Sequence, residues 1–181
     1  MATMKKDNFV VTGKVRLSYA HVWQPASING SDPKYSVSLI IPKDDAGTLD
    51  RIEKAVKAAQ ELGRTDKWGG TIPKKLKLPL RDGDEERDDE AYQGCMFVNA
   101  NSNTAPQIID RNRNPILDES EVYSGCYARV SLTFYPFDSN GNRGVACGLG
   151  NIQKLADGEP LGGRTRAEDD FADDFDDDLL D

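Results

Sequence analysis

Three stretches of this chain alternate apolar and polar residues with a period of two, the pattern of strands that bury one face. The clearest covers residues 127–135, and the other two cover residues 10–20 and 34–41. The apolar set of the clearest stretch is Ala128, Val130, Leu132 and Phe134. The apolar set of the earliest stretch is Val11, Val15, Leu17 and Tyr19. These alternations predict a mainly β protein in which strands with one buried face surround a core.

One helix and one tight turn complete the pattern. Apolar residues three or four positions apart predict a single α-helix at about residues 45–63. The pair Asn140–Gly141 lies between two strand patterns and predicts a hairpin. About seven strands with one helix inserted among them favour a closed or partly closed antiparallel barrel over a doubly wound sheet. We expect one domain over residues 1–156 and a disordered acidic tail over residues 157–181, where no core-forming periodicity is left.

The acidic residues are segregated along the chain. The formal net charge is -8, but nine of the 31 acids lie in residues 168–181, which contain no base. Seven more lie in residues 82–90 beside a single arginine. The rest of the chain holds 15 acids and 22 bases, a net charge of +7. We interpret residues 82–90 as an exposed loop, because like charges repel. The remaining body is basic and suits an anionic partner.

Sequence support for catalysis is weak. The one histidine, His21, is interpreted as structural, and neither a nucleophile elbow nor a Walker A motif is present. Residues 138–142 imitate the start of a calcium loop, but Arg143 and Leu149 replace the required Gly and Glu. We therefore predict a protein that is not an enzyme and has no cofactor and no metal. An open alternative is a nuclease whose Mg²⁺ is held by the carboxylates of residues 82–90.

Cysteine usage and hydropathy indicate the compartment. Cys95, Cys126 and Cys147 are widely spaced and odd in number, which favours buried reduced thiols over disulfides or a zinc site. No stretch approaches the roughly 18 apolar residues of a membrane span, and the start of the sequence lacks the apolar region of a signal peptide. We predict a cytoplasmic protein without membrane association.

The polar face of residues 127–135 carries Tyr127, Arg129 and Tyr135. Bases of single-stranded nucleic acid stack on such rings, and arginine meets a phosphate or a base plane. Basic and aromatic residues in neighbouring strands and loops enlarge the predicted surface. The predicted nucleic-acid-binding residues are Lys14, Arg16, Trp23, Lys34, Trp68, Lys74, Lys75, Lys77, Arg111, Arg113, Tyr127, Arg129, Tyr135 and Arg143. Ordinary packing of tyrosines or a second core face is the alternative explanation for this strand.

The acidic tail contains an apolar repeat. Phe171, Phe175 and Leu179 recur every four residues, so a helix formed on a partner would present them as one stripe. A tail of nine acids tethered to a basic groove also competes with nucleic acid at high effective concentration. We expect the tail to modulate access of nucleic acid and to recruit a protein partner. A merely solubilising tail is the alternative.

Taken together, several segments resemble a known family of bacteriophage proteins. They are NFVVTGKVRLSYAHVWQP, KYSVSLIIPK with the helix after it, GCMFVNANSNTAPQIIDRNRNPI, EVYSGCYARVSLTFYPFDSNGNRGVACGLGNIQKL and the acidic end. They look like the bacteriophage single-stranded-DNA-binding proteins long classed as a domain of unknown function. The resemblance covers residues 8–155, and the tail in kind.

The resemblance implies an oligonucleotide/oligosaccharide-binding (OB) barrel with an acidic tail. It implies a protein that coats single-stranded DNA during phage replication, recombination and repair in the cytoplasm of the infected bacterium. The implied partners are single-stranded DNA, with duplex DNA or RNA bound more weakly, and phage or host replication and recombination proteins that engage the tail. A homodimer is left open. An alternative from a different class is an acidic DNA mimic, which would bind no oligonucleotide.

Overall fold

The computed structural model describes residues 6–27 and 30–161, which form eight strands, two α-helices and two short 3₁₀ turns. The strands are β1 (Phe9–Val11), β2 (Val15–Ala26), β3 (Lys34–Pro42), β4 (Arg81–Asp82), β5 (Cys95–Ser102), β6 (Ile108–Ile109), β7 (Tyr127–Ser139) and β8 (Asn142–Ala156). The helices are α1 (Ala46–Asp66) and α2 (Gly83–Glu86), and the 3₁₀ turns are Glu90–Tyr92 and Glu119–Glu121. The protein is mainly β with one long helix, as predicted.

Five of the strands form a closed ring in the order β2, β3, β5, β8, β7 and back to β2. The contact between β5 and β8 is parallel, with Asn101 opposite Gly148, and the other four are antiparallel. The contact between β2 and β7 is short and includes Val15 opposite Ala128. Strands β1, β4 and β6 pair outside this ring, so the barrel is irregular. The predicted fold class, an OB-like barrel, is confirmed.

The core lies inside the ring and beneath α1. The apolar residues assigned to β7 by alternation are all buried: Ala128, Val130, Leu132 and Phe134. The buried apolar face of α1 consists of Ile52, Ala55, Val56 and Ala59. Asp45 begins the helix, because its carboxylate accepts the backbone N–H of Thr48 (3.2 Å). The helix predicted at about residues 45–63 is thereby confirmed and extends to Asp66.

A bulge in β2 reverses the expected direction of one side chain. The pairing of β2 with β3 shifts register between Ser18 and His21. Tyr19 lies at this shift with φ of 47°, in the left-handed region that few non-glycine residues adopt. Its side chain is 58% exposed, whereas Leu17 is fully buried. The assignment of Tyr19 to the apolar face was therefore wrong, because one additional residue moves it to the outside.

The turn between β7 and β8 has the backbone that its sequence predicts. Asn140 and Gly141 have φ of 52° and 86°, as both central residues of a type I′ hairpin turn require. Ser139 pairs with Asn142 directly beside the turn, and pairing continues to Tyr127 opposite Ala156. The predicted hairpin is confirmed, so this turn joins the two longest strands of the ring.

Residues 157–161, at the start of the predicted tail, contact the barrel. The hydroxyl of Tyr123 donates to Asp157 Oδ1 (3.0 Å), and the backbone N–H of Leu161 donates to the carbonyl of Ser124 (2.8 Å). The chain then leaves the described part. The predicted partner-binding residues Phe171, Phe175 and Leu179 lie outside the described residues.

Candidate nucleic-acid interface

The outer surface of β2, β3 and β5 holds a groove of about 480 Å³ with a polar floor. Strand register places Asn99 opposite Ser38 and Asn101 opposite Ser36. His21 of β2 pairs with Ser36 from the other side. Hydroxyl, amide and imidazole groups therefore line the floor, and each of them donates or accepts hydrogen bonds.

An aromatic ring and two basic side chains lie beside this polar floor. Tyr19, turned outward by the bulge, lines the groove together with Lys34 and Arg87. Ser31 and Asp32, from the loop between β2 and β3, also line it. An exposed ring next to cations and hydrogen-bonding groups is a combination that suits an extended nucleic-acid strand.

A small apolar cluster closes one end of the same surface. Ile40, Tyr92 and Phe97 are buried there, and Leu161 packs against them. The rings of Tyr92 and Phe97 meet edge to face at 5.2 Å, and the Tyr92 hydroxyl donates to Ser38 Oγ (3.0 Å). This hydrogen bond connects the cluster to the groove floor.

Residues 82–90 fold over this cluster. Lys43 Nζ lies 2.9 Å from Asp82 Oδ1 and 2.8 Å from Asp84 Oδ2. Arg81 Nη2 lies 2.7 Å from Glu86 Oε1. Most of these residues are exposed, as expected, but Gly83 is buried against Tyr92 and Cys95, so the segment does pack on the barrel. Two basic residues outside this segment, Lys43 and Arg81, neutralise several of the carboxylates of residues 82–90. The short helix α2 lies within the segment.

These ion pairs shift the affected pKa values. Hydrogen bonds from Lys43 hold the pKa of the Asp82 and Asp84 carboxyls below the usual 3.8. The same bonds, first to Asp84 and then to Asp82, raise the pKa of Lys43. A hydrogen bond from Arg81 lowers the pKa of Glu86. All of these groups are charged at neutral pH, so the ion pairs are fully formed there.

The outer face of β7, predicted as the main contact surface, is divided. Tyr127 is covered: Lys14 Nζ lies 4.7 Å and Arg16 Cζ 5.7 Å from the centre of its ring. Arg16 also donates from Nη2 to the carbonyl of Glu159 (2.7 Å). Gly158 is close enough to the Tyr127 ring that a Cβ there would lie 2.8 Å away. The contacts of residues 157–161 thus occupy part of the surface of Arg16 and Tyr127 that the sequence assigned to DNA, whereas Lys14 stays exposed.

The other two residues predicted on this face are accessible. Arg129 is exposed, donates from Nε to the carbonyl of Thr12 (3.3 Å), and lines a shallow depression of about 200 Å³ with Ser131 and Asn151. Tyr135 is 41% exposed, and partial burial raises the pKa of its hydroxyl. Neither residue lines the groove on β2, β3 and β5, so the predicted residues do not form one surface.

The two tryptophans support the structure. Trp68 is only 7% exposed, and its indole N–H donates to the carbonyl of Phe137 (3.1 Å). Gly63 leaves room for this ring, since a Cβ there would lie 2.6 Å from it. Trp23 is half-buried against the core and donates to the carbonyl of Val122 (3.0 Å). The prediction that Trp68 stacks on bases is therefore wrong, because its ring is packed in the core.

The remaining predicted cations lie at several places in the fold. Lys34 lines the groove, whereas Arg143 pairs with Asp138 (3.1 Å) beside the β7–β8 turn. The backbone of Lys77 bridges to Gly144 in β8. Four further side chains are exposed in loops: Lys74, Lys75, Arg111 and Arg113. Their roles in DNA binding stay predictions.

Of the residues that line the groove, only Lys34 was in the predicted set; the missed residues include Tyr19, His21, Arg87, Asn99 and Asn101. The asparagines alternate with Val98 and Ala100, both buried, so strand alternation was a signal that they face outward. No comparable signal marks Tyr19, whose direction depends on the bulge, or Arg87, whose position depends on the folding of the acidic segment.

The metal alternative finds no support in the described part of the chain. Asp82 and Asp84 converge on the ammonium group of Lys43, so these two carboxylates already have a cationic partner. Within residues 6–27 and 30–161, no group of three potential metal ligands is found.

No helix in these ranges has the length and apolar character needed to cross a membrane. Cys126 and Cys147 are buried free thiols, and burial raises the pKa of both.

The fold and the groove define a class of protein. Counted along the ring, β3 and β5 are the second and third strands, and the outer face of these strands is where OB barrels bind oligonucleotides and oligosaccharides. The groove lies on this face. The protein has an OB-like fold with a polar, cationic and aromatic groove in the position of an oligomer-binding site.

Comparison with known proteins narrows this class. Residues 8–180 match the family described as Enterobacter phage Enc34, ssDNA-binding protein. Putative protein p50 of Acyrthosiphon pisum secondary endosymbiont phage 1 is 30% identical over 171 residues, covering 88% of this chain and 90% of the relative. The chain belongs to the Enc34 family of phage single-stranded-DNA-binding proteins.

Solved structures share the fold. The single-stranded DNA-binding protein of bacteriophage Enc34, in complex with single-stranded DNA, superposes with a TM-score of 0.75 at 24% identity, covering 87% of this chain and 91% of that chain. The gp2.5 single-stranded DNA binding protein of bacteriophage T7 superposes with a TM-score of 0.60 at 16% identity, covering 93% and 95%. The resemblance stated from sequence is confirmed.

The ion pairs of Lys43 give a pH-dependent prediction. The folded-state pKa values of Asp82 and Asp84 lie below 3.8, so their pairing stabilises the fold above that pH and is lost as the pH falls through the folded-state values. We expect Lys43→Gln to lower the free energy of unfolding at pH 7. The difference from the unmodified protein should shrink only below pH 3.8, as measured by urea denaturation across the pH range.

The control is Lys54→Gln, which removes an exposed i,i+4 pair with Asp50 and should have a smaller effect. A difference for Lys43→Gln that persisted undiminished after both aspartates were protonated would contradict the assignment.

Proposed function

We propose that this protein binds single-stranded DNA largely independently of sequence, in the groove on β2, β3 and β5, during phage DNA replication, recombination and repair. The single observation that carries the proposal is the position of this groove on the oligomer-binding face of an OB barrel. Membership of the Enc34 family supports it, and the Enc34 relative has been solved in complex with single-stranded DNA. The setting is the cytoplasm of the infected bacterium.

The groove residues explain why the binding is tolerant of sequence. Tyr19 and His21 offer rings on which any base stacks, since every base has an aromatic face. Lys34 supplies positive charge for the phosphates, which are the same at every nucleotide. The hydroxyl and amide groups of the floor adapt to different base edges. Proteins that combine these features hold a strand by stacking and charge, and they do not read a sequence.

Salt dependence tests the proposed function. Because neutralised phosphates release counterions, affinity for an oligo-dT strand should fall steeply between about 50 mM and about 500 mM salt. Fluorescence anisotropy titration of a labelled strand measures this change. Equal affinity at the two salt concentrations would contradict the proposal. Addition of Mg²⁺ to the same samples should leave the strand intact, whereas cleavage would favour the nuclease alternative.

Substitution of Tyr19 tests whether DNA binds in the groove or on the outer face of β7. Tyr19→Asn removes the ring, and asparagine tolerates the left-handed backbone found there, so the stability of the fold should be unchanged or slightly raised. Affinity for oligo-dT should fall by roughly 5- to 150-fold, the equivalent of about 1 to 3 kcal/mol for one stacked base. The matched variant is Tyr135→Ala on β7, for which we expect a smaller loss. If Tyr19→Asn kept native affinity while Tyr135→Ala lost affinity, the DNA contact would instead lie on the outer face of β7, as predicted from sequence.

The tail is proposed to compete with DNA and to bind replication proteins. Residues 168–181 carry nine acids and no base, and residues 157–161 attach them to the barrel beside Arg16 and Tyr127. A tethered polyanion competes at high effective concentration. In this proposal Phe171, Phe175 and Leu179 contact the protein partner, and duplex DNA and RNA are weaker ligands.

Deletion of residues 168–181 should tighten binding of single-stranded DNA, and the gain should be largest at low salt, where electrostatic competition is strongest. Titration of full-length and truncated protein at two salt concentrations measures it. Unchanged or weaker binding after truncation would contradict the proposal that the tail competes with DNA. Absence of binding in both forms would instead favour the acidic DNA mimic.

A further inference from the structure

The acidic segment of residues 82–90 contains one base, and that base lines the groove. Arg87 is partly exposed and forms part of the groove wall. Its guanidinium carbon lies 5.6 Å from the ring centre of Tyr92 and 4.9 Å from that of Phe97. Both rings are fully buried, so they form a rigid support beneath the guanidinium group.

Three of the carboxylates close to Arg87 in sequence have other partners. Glu86 pairs with Arg81, and Asp84 pairs with Lys43. Asp89 accepts the backbone N–H of Ala91 (3.0 Å). Among the residues that the structure describes, no carboxylate lies within ion-pair distance of the Arg87 guanidinium. Its Nε is buried and has no hydrogen-bond partner there. A cation within an acidic segment is thus left available to an external anion.

The geometry selects the kind of anion. Because the two rings pack against the guanidinium and Nε is buried, the terminal N–H groups are the donors that remain for a ligand. Two parallel N–H groups of an arginine match two oxygens of a phosphate. Packing on the rings restricts the side chain before binding, which reduces the entropy lost on contact. A backbone phosphate of a strand in the groove fits this arrangement.

We propose that Arg87 binds a backbone phosphate of single-stranded DNA and that Lys43 is the positioning residue that holds residues 82–90 in place for it. The inference rests on the proposed function and deepens it, because it gives the acidic segment a role in binding. Lys43 lies outside the groove lining and contacts Asp82 and Asp84, three to five residues before Arg87. It acts on DNA only through the position of this segment.

The first test is Arg87→Gln, titrated with oligo-dT at several salt concentrations. We expect a loss of affinity of about tenfold and a reduction of the salt slope by about one, as removal of one phosphate contact requires. The matched control is Arg64→Gln on α1, whose partner is the exposed Glu61, and it should leave affinity and slope unchanged. If Arg87→Gln unfolds, Arg87→Met keeps an apolar stem over both rings while removing the charge, and the same loss is expected.

The second test is a double-mutant cycle with Lys43→Gln. If Lys43 acts through Arg87, its substitution lowers affinity in the presence of Arg87 and has no effect on affinity in the Arg87→Gln background. Independent, additive losses would overturn the positioning role. Thermal unfolding of each variant, monitored by circular dichroism, confirms that the barrel is retained.

Failure of this inference is distinguishable from failure of the proposed function. An unmodified protein that binds oligo-dT with steep salt dependence, beside an Arg87→Gln variant of equal affinity, overturns the inference alone. A loss of affinity without a change in salt slope overturns the assignment to a phosphate. An unmodified protein that does not bind the strand overturns the proposed function itself.

Discussion

Closure of the sheet through β7 is the constraint on which the rest of the structure depends. This strand pairs with β8 along nearly its whole length and with β2 near Val15. Thr12, which is buried beside this closure, donates its backbone N–H to the carbonyl of Val130 and accepts the N–H of Val130 at Oγ1. A closed ring assigns every second residue of its strands to the inside. The residues of β3 and β5 that face outward do not form part of the core, so polar side chains at these positions do not destabilise it.

The outer face of β3 and β5 is used in two ways along its length. Where Ile40 pairs with Phe97, it is apolar and covered by residues 82–92 and by Leu161. Where Ser38 pairs with Asn99, it opens into the groove. Tyr92, at the covered end, therefore contacts two residues of the groove. Its hydroxyl donates a hydrogen bond to Ser38, and its ring packs against the guanidinium of Arg87. Tyr19, with its unfavourable backbone conformation, lies on the open part, where strain of this kind is typical of functional positions.

Features with local causes were predictable from sequence. Strand alternation in residues 127–135, the amphipathic helix and the Asn140–Gly141 turn all appear as expected, because each depends on residues close in the chain. The failures have distant causes. Trp68 is held in the core by β7, where its indole N–H donates to the carbonyl of Phe137, and Tyr127 is covered because a segment about thirty residues later crosses it at Gly158. Pattern within one strand indicates which residues face outward, but it does not indicate what covers them.

The two acidic segments, which look alike by composition, differ in physical role. Charges of residues 82–90 are partly neutralised by Lys43 and Arg81, and at physiological salt the field of an exposed carboxylate is largely screened beyond about 8 Å. Among the charged residues that line the groove itself, Lys34 and Arg87 outnumber Asp32. Composition alone would have counted residues 82–90 as opposing a polyanion. Their folded arrangement instead places the cation of Arg87 in the groove wall, and Leu161, where the described part of the chain ends, packs at the closed end of the same surface.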